Sequence, residues 1–295
     1  MRKAYLALAG LLALADCGGG GNSGDYSSGT GTAAPATASS TGIWSGTITS
    51  SSGSTVPRDL TLIILPSGEA RFIEGNCVQM LVSTSVSASF LTGSSGEAYA
   101  PDGGVATCPI ALTFPNGATT GTASVTGSVV SQSSINGSYS AAGDLGTYKV
   151  SYNTAYDRPG TLARIAGTYS NGTLQMSIDS SGYYTGMLGT QPIFGQISTI
   201  DVTHNAYRIA MTEGTRNTLT LSAASAAAVT TPASGTTIST ATNADGTVSV
   251  TTTTSTGPTW SGLGTLLDYS PGTDNYLVLS LANQTSGWTI SIIKQ

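Results

Sequence analysis

Short alternating segments separated by turn residues fill almost the whole chain after residue 41. The apolar run at 60–65 stops at Pro66-Ser67-Gly68, and the alternating apolar residues of 110–114 stop at Pro115-Asn116-Gly117. Period-two alternation is typical of half-buried strands, and Pro, Asn and Gly between such runs favour tight hairpin turns. The pattern therefore predicts an all-β protein built from short antiparallel strands.

The same signals predict further strands at intervals of roughly ten residues. They cover 70–73, 124–131, 135–140 and 147–153 in the first half, and 173–178, 183–188, 193–202, 206–213, 218–221, 260–268, 276–281 and 288–294 in the second. One helical turn is predicted at 161–165. Closure of such strands into a barrel removes exposed sheet edges. We therefore predict two small antiparallel β-barrel or sandwich domains, residues 42–160 and 161–295.

A weak internal repeat supports this division. Five positions match at one constant offset: Leu60, Leu62, Ile64, Ser67 and Gly68 against Leu174, Met176, Ile178, Ser181 and Gly182. Gly42-Ile43-Trp44 precedes the first block, and Gly167-Thr168-Tyr169 precedes the second. A duplicated unit accounts for these matches, and chance similarity between strands rich in Leu, Thr and Ser is the alternative.

Two segments differ from the strand pattern. Residues 18–41 contain almost nothing but Gly, Ser, Thr and Ala, so they are expected to form a disordered tether. Residues 223–258 are a Ser/Thr/Ala-rich insert in the second half. Within it, Asn243-Ala244-Asp245-Gly246 could turn a polar hairpin between 236–242 and 247–254, and pattern alone leaves both a protruding arm and a disordered loop open.

The N-terminus is typical of an export signal. Arg2 and Lys3 supply positive charge, and the apolar run at 4–15 is too short for a membrane span of about 20 residues. Leu14-Ala15-Asp16-Cys17 resembles the lipobox of bacterial lipoproteins, which implies a signal peptide at 1–16 and acylation, for example with palmitate, of Cys17. Cleavage after the secretory site Ala13-Leu14-Ala15 is the alternative, and it would leave Cys17 unmodified.

The lipobox-like cysteine, the glycine run behind it, the Gly-x-aromatic starts and Tyr156-Asp157-Arg158-Pro159 together resemble a group of proteobacterial envelope lipoproteins with tandem β domains. This resemblance implies a location in the cell envelope, at the outer membrane, but no activity. A soluble secreted or periplasmic protein is the alternative. In either compartment Cys77 and Cys108 are predicted to form a disulfide, whose loop of about 30 residues would stabilise by roughly 3 to 4 kcal/mol, and two buried free thiols are the alternative.

Composition argues against several functions. Only 8% of residues are charged, the net charge is −5, and no Lys/Arg cluster follows Lys3, so nucleic-acid binding is not expected. His204 is the single histidine and is expected to be a solvated turn residue. Ser291 and Lys294 have acylase spacing, but on a strand residues three apart point to opposite faces. No spacing favours Glu69 and Glu74 as a catalytic pair, so we predict no catalytic residues, cofactor or metal.

Aromatic residues are the remaining functional signal. Tyr outnumbers Phe by 13 to 4, and alternation must place at least one of Tyr183 and Tyr184 on the outside. Exposed Tyr is common where proteins bind other proteins or glycans, so these two residues are a candidate binding surface. The alternative is that the tyrosines line strand faces and that Trp44, Trp260 and Trp288 fill the barrel cores.

The leading functional hypothesis is a lipid-anchored, non-enzymatic envelope protein that binds or scaffolds an envelope or host protein or a glycan. A lipocalin-like carrier of an apolar ligand is the first alternative, and it requires an apolar cavity inside a barrel. An envelope glycan hydrolase is the second, and it requires converging carboxylates in a cleft.

Overall fold

A computed structural model describes residues 37–51, 56–74, 78–99, 119–221, 236–269 and 272–295. Residues from Ala36 to Gln295 belong to one compact unit. Within the described ranges the chain is almost entirely β-structure and contains two closed, eight-stranded antiparallel barrels. The predicted all-β class with two antiparallel barrels is confirmed, and the sandwich alternative is not adopted.

The first barrel is an up-and-down ring in which each strand pairs with the next, and the eighth pairs with the first. Its strands are β1 (Gly42–Ser50), β2 (Arg58–Ile64), β3 (Glu69–Glu74), β4 (Val78–Ser87), β5 (Phe90–Tyr99), β6 (Thr120–Val130), β7 (Ser134–Ala141) and β8 (Asp144–Tyr152). A 3-10 turn (Thr154–Asp157) and a single helical turn, α1 (Leu162–Ile165), lead into the second barrel.

The second barrel follows the same plan with one strand added outside the ring. Its strands are β9 (Gly167–Ser170), β10 (Leu174–Ile178), β11 (Tyr183–Leu188), β12 (Gln191–Thr199), β13 (Tyr207–Leu221), β14 (Thr236–Thr242), β15 (Val248–Tyr269), β16 (Gly272–Ala282) and β17 (Gly287–Lys294). The ring closes through pairing of β17 with β9 and of β13 with β15, while β14 pairs with β15.

Most predicted strands are confirmed, including β11 at its exact predicted bounds, and α1 lies within the predicted helical turn. Strands β4 and β5 were not predicted, because Ser and Gly residues interrupt the alternation of apolar and polar side chains in Val78–Ser87 and Phe90–Tyr99. The two separate strands predicted at 206–213 and 218–221 are one strand, β13. The predicted hairpin at Pro115-Asn116-Gly117 lies outside the described residues.

The polar insert contains an ordered arm in its described part. The far halves of β13 and β15 extend beyond the barrel and pair with each other, and β14 adds a third strand. The predicted turn is confirmed, since Asn243 N donates to Thr247 O at 2.8 Å and Gly246 N donates to Asn243 O at 3.0 Å. Of the two alternatives left open for this insert, the described residues therefore adopt the protruding arm.

The repeated sequence positions occupy the same places in the two barrels. Trp44 in β1 and Tyr169 in β9 are fully buried, and each donates to a backbone carbonyl four residues earlier, Ser40 O at 2.9 Å and Ile165 O at 3.0 Å. Gly68 and Gly182 follow the second strand of each ring with φ of +86° and +82°, a left-handed conformation that glycine favours. The two blocks therefore form the same strand and turn.

Protein side chains occupy the barrel interiors. In the first barrel the rings of Phe72 in β3 and Tyr148 in β8 meet edge to face at 5.3 Å, although their strands are three places apart in the ring. In the second barrel the buried Trp260 lies 5.9 Å from Trp288. Trp44 and Trp260 fill the barrel cores, as predicted by the alternative to an aromatic binding surface, whereas Trp288 is half-buried.

The outer walls of the two barrels pack against each other with matching ends together. Near one end, Ile43 and Leu65 of the first barrel share an apolar cluster with Ala206 and Leu267 of the second. Toward the other end, Gln79 of β4 donates to Leu281 O of β16 at 2.5 Å. Contacts at both levels mean that the barrels stand side by side.

The link between the barrels is held by hydrogen bonds and ion pairs. The fully buried Asn205 amide donates to Ala155 O at 3.1 Å and to Leu266 O at 2.5 Å. Arg158 forms a two-pronged ion pair with Asp268, with both N–O distances at 2.6 Å, and also contacts Asp274. The segment that contains the Tyr-Asp-Arg-Pro phrase is therefore fastened to the second barrel.

Candidate functional site

The two tyrosines of the predicted binding surface lie on opposite sides of the second barrel wall. Tyr184 points into the core and donates its hydroxyl to Ala210 O at 2.9 Å. Tyr183 lies outside, where the Arg216 guanidinium carbon sits 4.1 Å from the ring centroid. The prediction that at least one of the pair faces outward is confirmed, but Tyr184 is a core residue and cannot belong to a binding surface.

His204 is more constrained than a solvated turn residue would be. Its ring stacks on Tyr156 at 4.5 Å, and Nδ1 lies 2.7 Å from Asp201 Oδ2. Asp201 also accepts from Thr203, and the Thr203 and His204 hydrogen bonds lower the pKa of Asp201 to about 2. This cluster holds the loop between β12 and β13 against the link between the barrels, which is a structural role.

The two discounted catalytic pairs are not assembled. Ser291 and Lys294 lie on β17, and Lys294 Nζ donates to Arg164 O at 3.1 Å. Glu69 and Glu74 sit five residues apart on β3, so they point to opposite faces of the barrel wall. Glu69 lies outside and Glu74 inside, so the wall separates the two carboxylates.

A groove of about 580 Å³ lies on the outer wall of the first barrel. Ser67 and Glu69 form one side, Leu81, Val82 and Ser83 the middle, and Ser95 to Glu97 the other side. Irregular pairing makes room for it, because the register shifts between Ser83 and Ser85 and again between Gly93 and Gly96. Such β-bulges bend a strand and commonly occur beside binding sites.

Arginine and tyrosine side chains hold the two carboxylates of the groove. Glu69 lies 3.4 Å from Arg71 Nη2 and 3.2 Å from Arg208 Nη2, and Arg208 belongs to β13 of the second barrel. Glu97 accepts a hydrogen bond from the Tyr99 hydroxyl. Burial, and then the bond to Glu97, raises the pKa of Tyr99 to about 12, so this hydroxyl keeps its proton at neutral pH.

Arg71 is the unusual member of this group. Its side chain is 5% exposed, and among the described residues no group accepts a hydrogen bond from its Nε or Nη1. Burial lowers the pKa of Arg71, opposed by the nearby Glu69. A buried guanidinium with free donors is costly, so its position beside the groove is more typical of a binding site than of a purely structural wall.

Sequence reasoning missed most of this site. Arg71, Glu97 and Arg208 carry no motif, and Arg208 reaches Glu69 only because the second barrel packs beside the first. The one local signal is the Gly93-Ser94-Ser95-Gly96 run inside an otherwise regular strand, which is typical of a bulge.

A second charged cluster lies inside one end of the first barrel. Arg58 Nε is 2.9 Å from Glu74 Oε1, and Asp144 accepts from Ser50 Oγ at 2.6 Å and from the Tyr139 hydroxyl at 2.8 Å. Burial raises the pKa of Glu74 to about 7; Arg58 opposes this shift and Asp144 adds to it.

The Glu74 carboxyl predicts a pH dependence of stability. Its native pKa lies above the ordinary value of 4.5, so its contribution is complete below pH 4.5 and is lost as the pH rises through about 7. We expect Glu74→Gln to remove this component from the free energy of unfolding measured by urea titration between pH 4.5 and 8. Glu213→Gln, a matched change on β13 of the second barrel, should keep the wild-type pH profile. A wild-type profile in Glu74→Gln would contradict the raised pKa assigned to Glu74.

Metal sites, membrane-spanning helices and cysteines are further features that bear on the function of a protein. Within the described ranges, no three or more His, Cys, Asp or Glu side chains are arranged to hold a metal ion. Helices long and apolar enough to cross a membrane are likewise not found in the described part of the chain. The predicted acylation site Cys17 and the predicted disulfide partners Cys77 and Cys108 lie outside the described residues.

Comparisons of this chain with protein-family models, with curated proteins and with solved structures found no match.

Proposed function

We propose that this protein is a lipid-anchored, non-enzymatic component of the bacterial cell envelope that binds a ligand in the outer groove of its first barrel. The observation that supports binding at this position is the location of open space. Side chains occupy the interior of the first barrel where Phe72 meets Tyr148, whereas the groove with fixed polar groups lies on the outer wall. A binder of this kind needs rigid walls, and closed barrels packed side by side provide them.

The occupied interior favours this role over the lipocalin-like alternative. A carrier needs an apolar cavity of a few hundred Å³ inside the ring. Phe72 and Tyr148 meet from strands three places apart, and the Tyr148 hydroxyl reaches Thr126 O at 3.2 Å. A ligand at this level would have to displace two buried aromatic rings.

The groove chemistry favours a ligand rich in hydroxyl groups. Arg71 and Arg208 both pair with Glu69, and Glu97 accepts from the Tyr99 hydroxyl, so both carboxylates of the groove already have partners and a cationic ligand gains little. Glu69 and Glu97 offer fixed acceptors, Ser83 and Ser95 offer hydroxyls, and Leu81 offers an apolar surface for carbon-bound hydrogens. This combination suits a neutral glycan better than an apolar molecule.

The same contacts argue against the hydrolase alternative. A glycosidase needs one carboxyl group that donates a proton and a second that acts as base or nucleophile. Arginines contact Glu69 and a tyrosine hydroxyl donates to Glu97, so both groups act as hydrogen-bond acceptors. We therefore expect neutral oligosaccharides to remain intact after prolonged incubation with the protein.

The groove assignment predicts a specific loss of binding. Glu97→Gln replaces a charged acceptor with a neutral amide, and we expect affinity for a neutral trisaccharide to fall about tenfold, since hydrogen bonds to charged groups contribute about 1.5 to 3 kcal/mol. Titration calorimetry with chitotriose, cellotriose and maltotriose measures this. Glu213→Gln is the matched control and should bind like wild type. Equal weakening in both variants, or no binding of any neutral saccharide, would contradict the assignment.

Anchoring at Cys17 is a separate part of the proposal, supported by the lipobox-like sequence and the apolar run before it. We expect the mature protein from a Gram-negative host to begin at an acylated Cys17 and to fractionate with membranes. Cys17→Ser should release it into the soluble fraction, while trisaccharide binding stays unchanged. Mass spectrometry of the mature N-terminus decides the question, because a bare Asp16 would refute the anchor.

A further inference from the structure

The chain enters the first barrel at one identifiable end. Ala38 N donates to Ala88 O at 2.7 Å, and Ser39 N donates to Ser131 Oγ at 2.9 Å. Ala88 lies in the turn between β4 and β5, and Ser131 lies in the turn between β6 and β7. These two hairpins therefore hold the start of the described chain, so the prediction of a disordered tether is wrong for residues 38 and 39.

The same two hairpins expose large apolar side chains. Phe90 is 50% exposed at the start of β5, and Val130 is 57% exposed at the end of β6. Phe90 pairs with Ser128, and Val130 follows two residues later, so both side chains share one face as diagonal neighbours. Together they form an apolar tip beside the point of chain entry.

The surroundings of this tip carry no charge in the sequence of either hairpin. Residues 85–92 and 128–134 are Ser, Val, Ala, Phe, Leu, Thr and Gln only. Arg58, Glu74 and Asp144 lie at the opposite end of the same barrel, whereas Glu69 at the start of β3 and Asp157 after β8 lie at the end of the hairpins but outside them. Burying the tip in a lipid headgroup region would therefore desolvate no charged group from these hairpins.

We propose that this end of the first barrel faces the lipid bilayer, with Phe90 and Val130 inserted among the headgroups. The inference rests on the proposed anchor at Cys17, from which about 20 residues lead to the hairpins. Twenty residues span at most about 70 Å. Because the anchored chain enters the fold beside these hairpins, we place this end of the first barrel nearest the membrane. Insertion of an apolar tip by about 5 to 10 Å is typical of interfacial contacts.

The end of the second barrel that lies beside this tip combines exposed apolar residues with carboxylates. Val202 and Tyr269 are exposed there, but Asp179, Asp201 and Asp268 lie in or beside the same loops. Arg158 pairs with Asp268, but Asp179 and Asp201 have no arginine partner among the described residues. Anionic lipid repels such carboxylates, so we place the uncharged hairpins of the first barrel at the membrane.

Depth measurement with brominated lipids tests the orientation. The acylated full-length protein carrying Phe90→Trp is bound to vesicles of phosphatidylethanolamine and phosphatidylglycerol. The fluorescence of the new tryptophan is obtained by subtracting the emission of the wild-type protein. We expect brominated lipids to quench this emission. Met187→Trp is the matched control, because Met187 is exposed at the opposite end of the second barrel, and its emission should not be quenched.

A second form of the protein tests the membrane orientation independently of acylation at Cys17. Residues 18–295 carrying an N-terminal hexahistidine tag are attached to vesicles that contain a nickel-chelating lipid, so the chain is tethered whether or not Cys17 is acylated. Phe90→Asp combined with Val130→Asp should shorten the residence time on these vesicles about tenfold, and Met187→Asp should leave it unchanged.

The outcomes are distinct. Quenching at position 90 in both forms supports the proposed orientation. A Cys17 without acyl chains, together with quenching in the tagged form, refutes the anchor but keeps the orientation. An unquenched Phe90→Trp in the vesicle-attached protein, or a residence time of the Phe90→Asp, Val130→Asp variant equal to that of wild type, overturns the inference.

Discussion

Replacing Asn205 with alanine is expected to lower the free energy of unfolding by about 3 to 5 kcal/mol. The side chain is fully buried and bonds to Ala155 O, Leu266 O and Leu266 N, and alanine leaves these backbone groups without that partner. Each unsatisfied buried group costs about 1 to 3 kcal/mol. Urea denaturation followed by tryptophan fluorescence and by far-UV circular dichroism measures the loss.

The same substitution should also change how the two barrels unfold. Asn205 joins the link between the barrels to β15, so wild type is expected to unfold in one transition and Asn205→Ala in two. Asn171→Ala is the matched control, because Asn171 also makes three side-chain hydrogen bonds but lies exposed on the surface. A loss in Asn171→Ala as large as that in Asn205→Ala would refute the role assigned to burial.

Truncation of Trp44 is the second change with a large expected effect. Trp44 is fully buried, packs edge to face on Tyr152 at 5.1 Å and donates to Ser40 O. Removing a buried tryptophan leaves a cavity and costs about 3 to 5 kcal/mol. We expect Trp44→Ala to reduce the free energy of unfolding by that amount, measured by urea titration.

Two further variants separate packing from hydrogen bonding at this position. Trp44→Phe keeps most of the apolar volume but leaves Ser40 O without its partner, so a loss of about 1 to 2 kcal/mol is expected. Trp288→Ala removes a half-buried tryptophan from the other barrel and should cost less than Trp44→Ala. Equal losses for Trp44→Ala and Trp288→Ala would contradict the larger packing contribution assigned to the fully buried Trp44.

The candidate site shows where sequence reasoning reaches its limit. Alternation correctly requires that one of Tyr183 and Tyr184 faces out, but period two alone cannot tell which, because it fixes only that neighbours point to opposite faces. The face is decided when β11 pairs with β12 and β10 inside a closed ring. Glu69 and Glu97 line one groove only because β3, β4 and β5 pair, and Arg208 reaches Glu69 only because the second barrel packs beside the first.

The sequence alone determined the β class, most strand positions, a helical turn within 161–165 and the turn at residues 243–246, because these depend on local alternation and on turn residues. Whether the polar insert forms an ordered arm or a disordered loop was left open by the sequence. Only the tertiary structure decided barrel closure, which of two neighbouring tyrosines is buried, and the groove that contains Glu69 and Glu97 with Arg208 paired to Glu69. Those features depend on contacts between residues far apart in the chain, and no local pattern encodes such contacts.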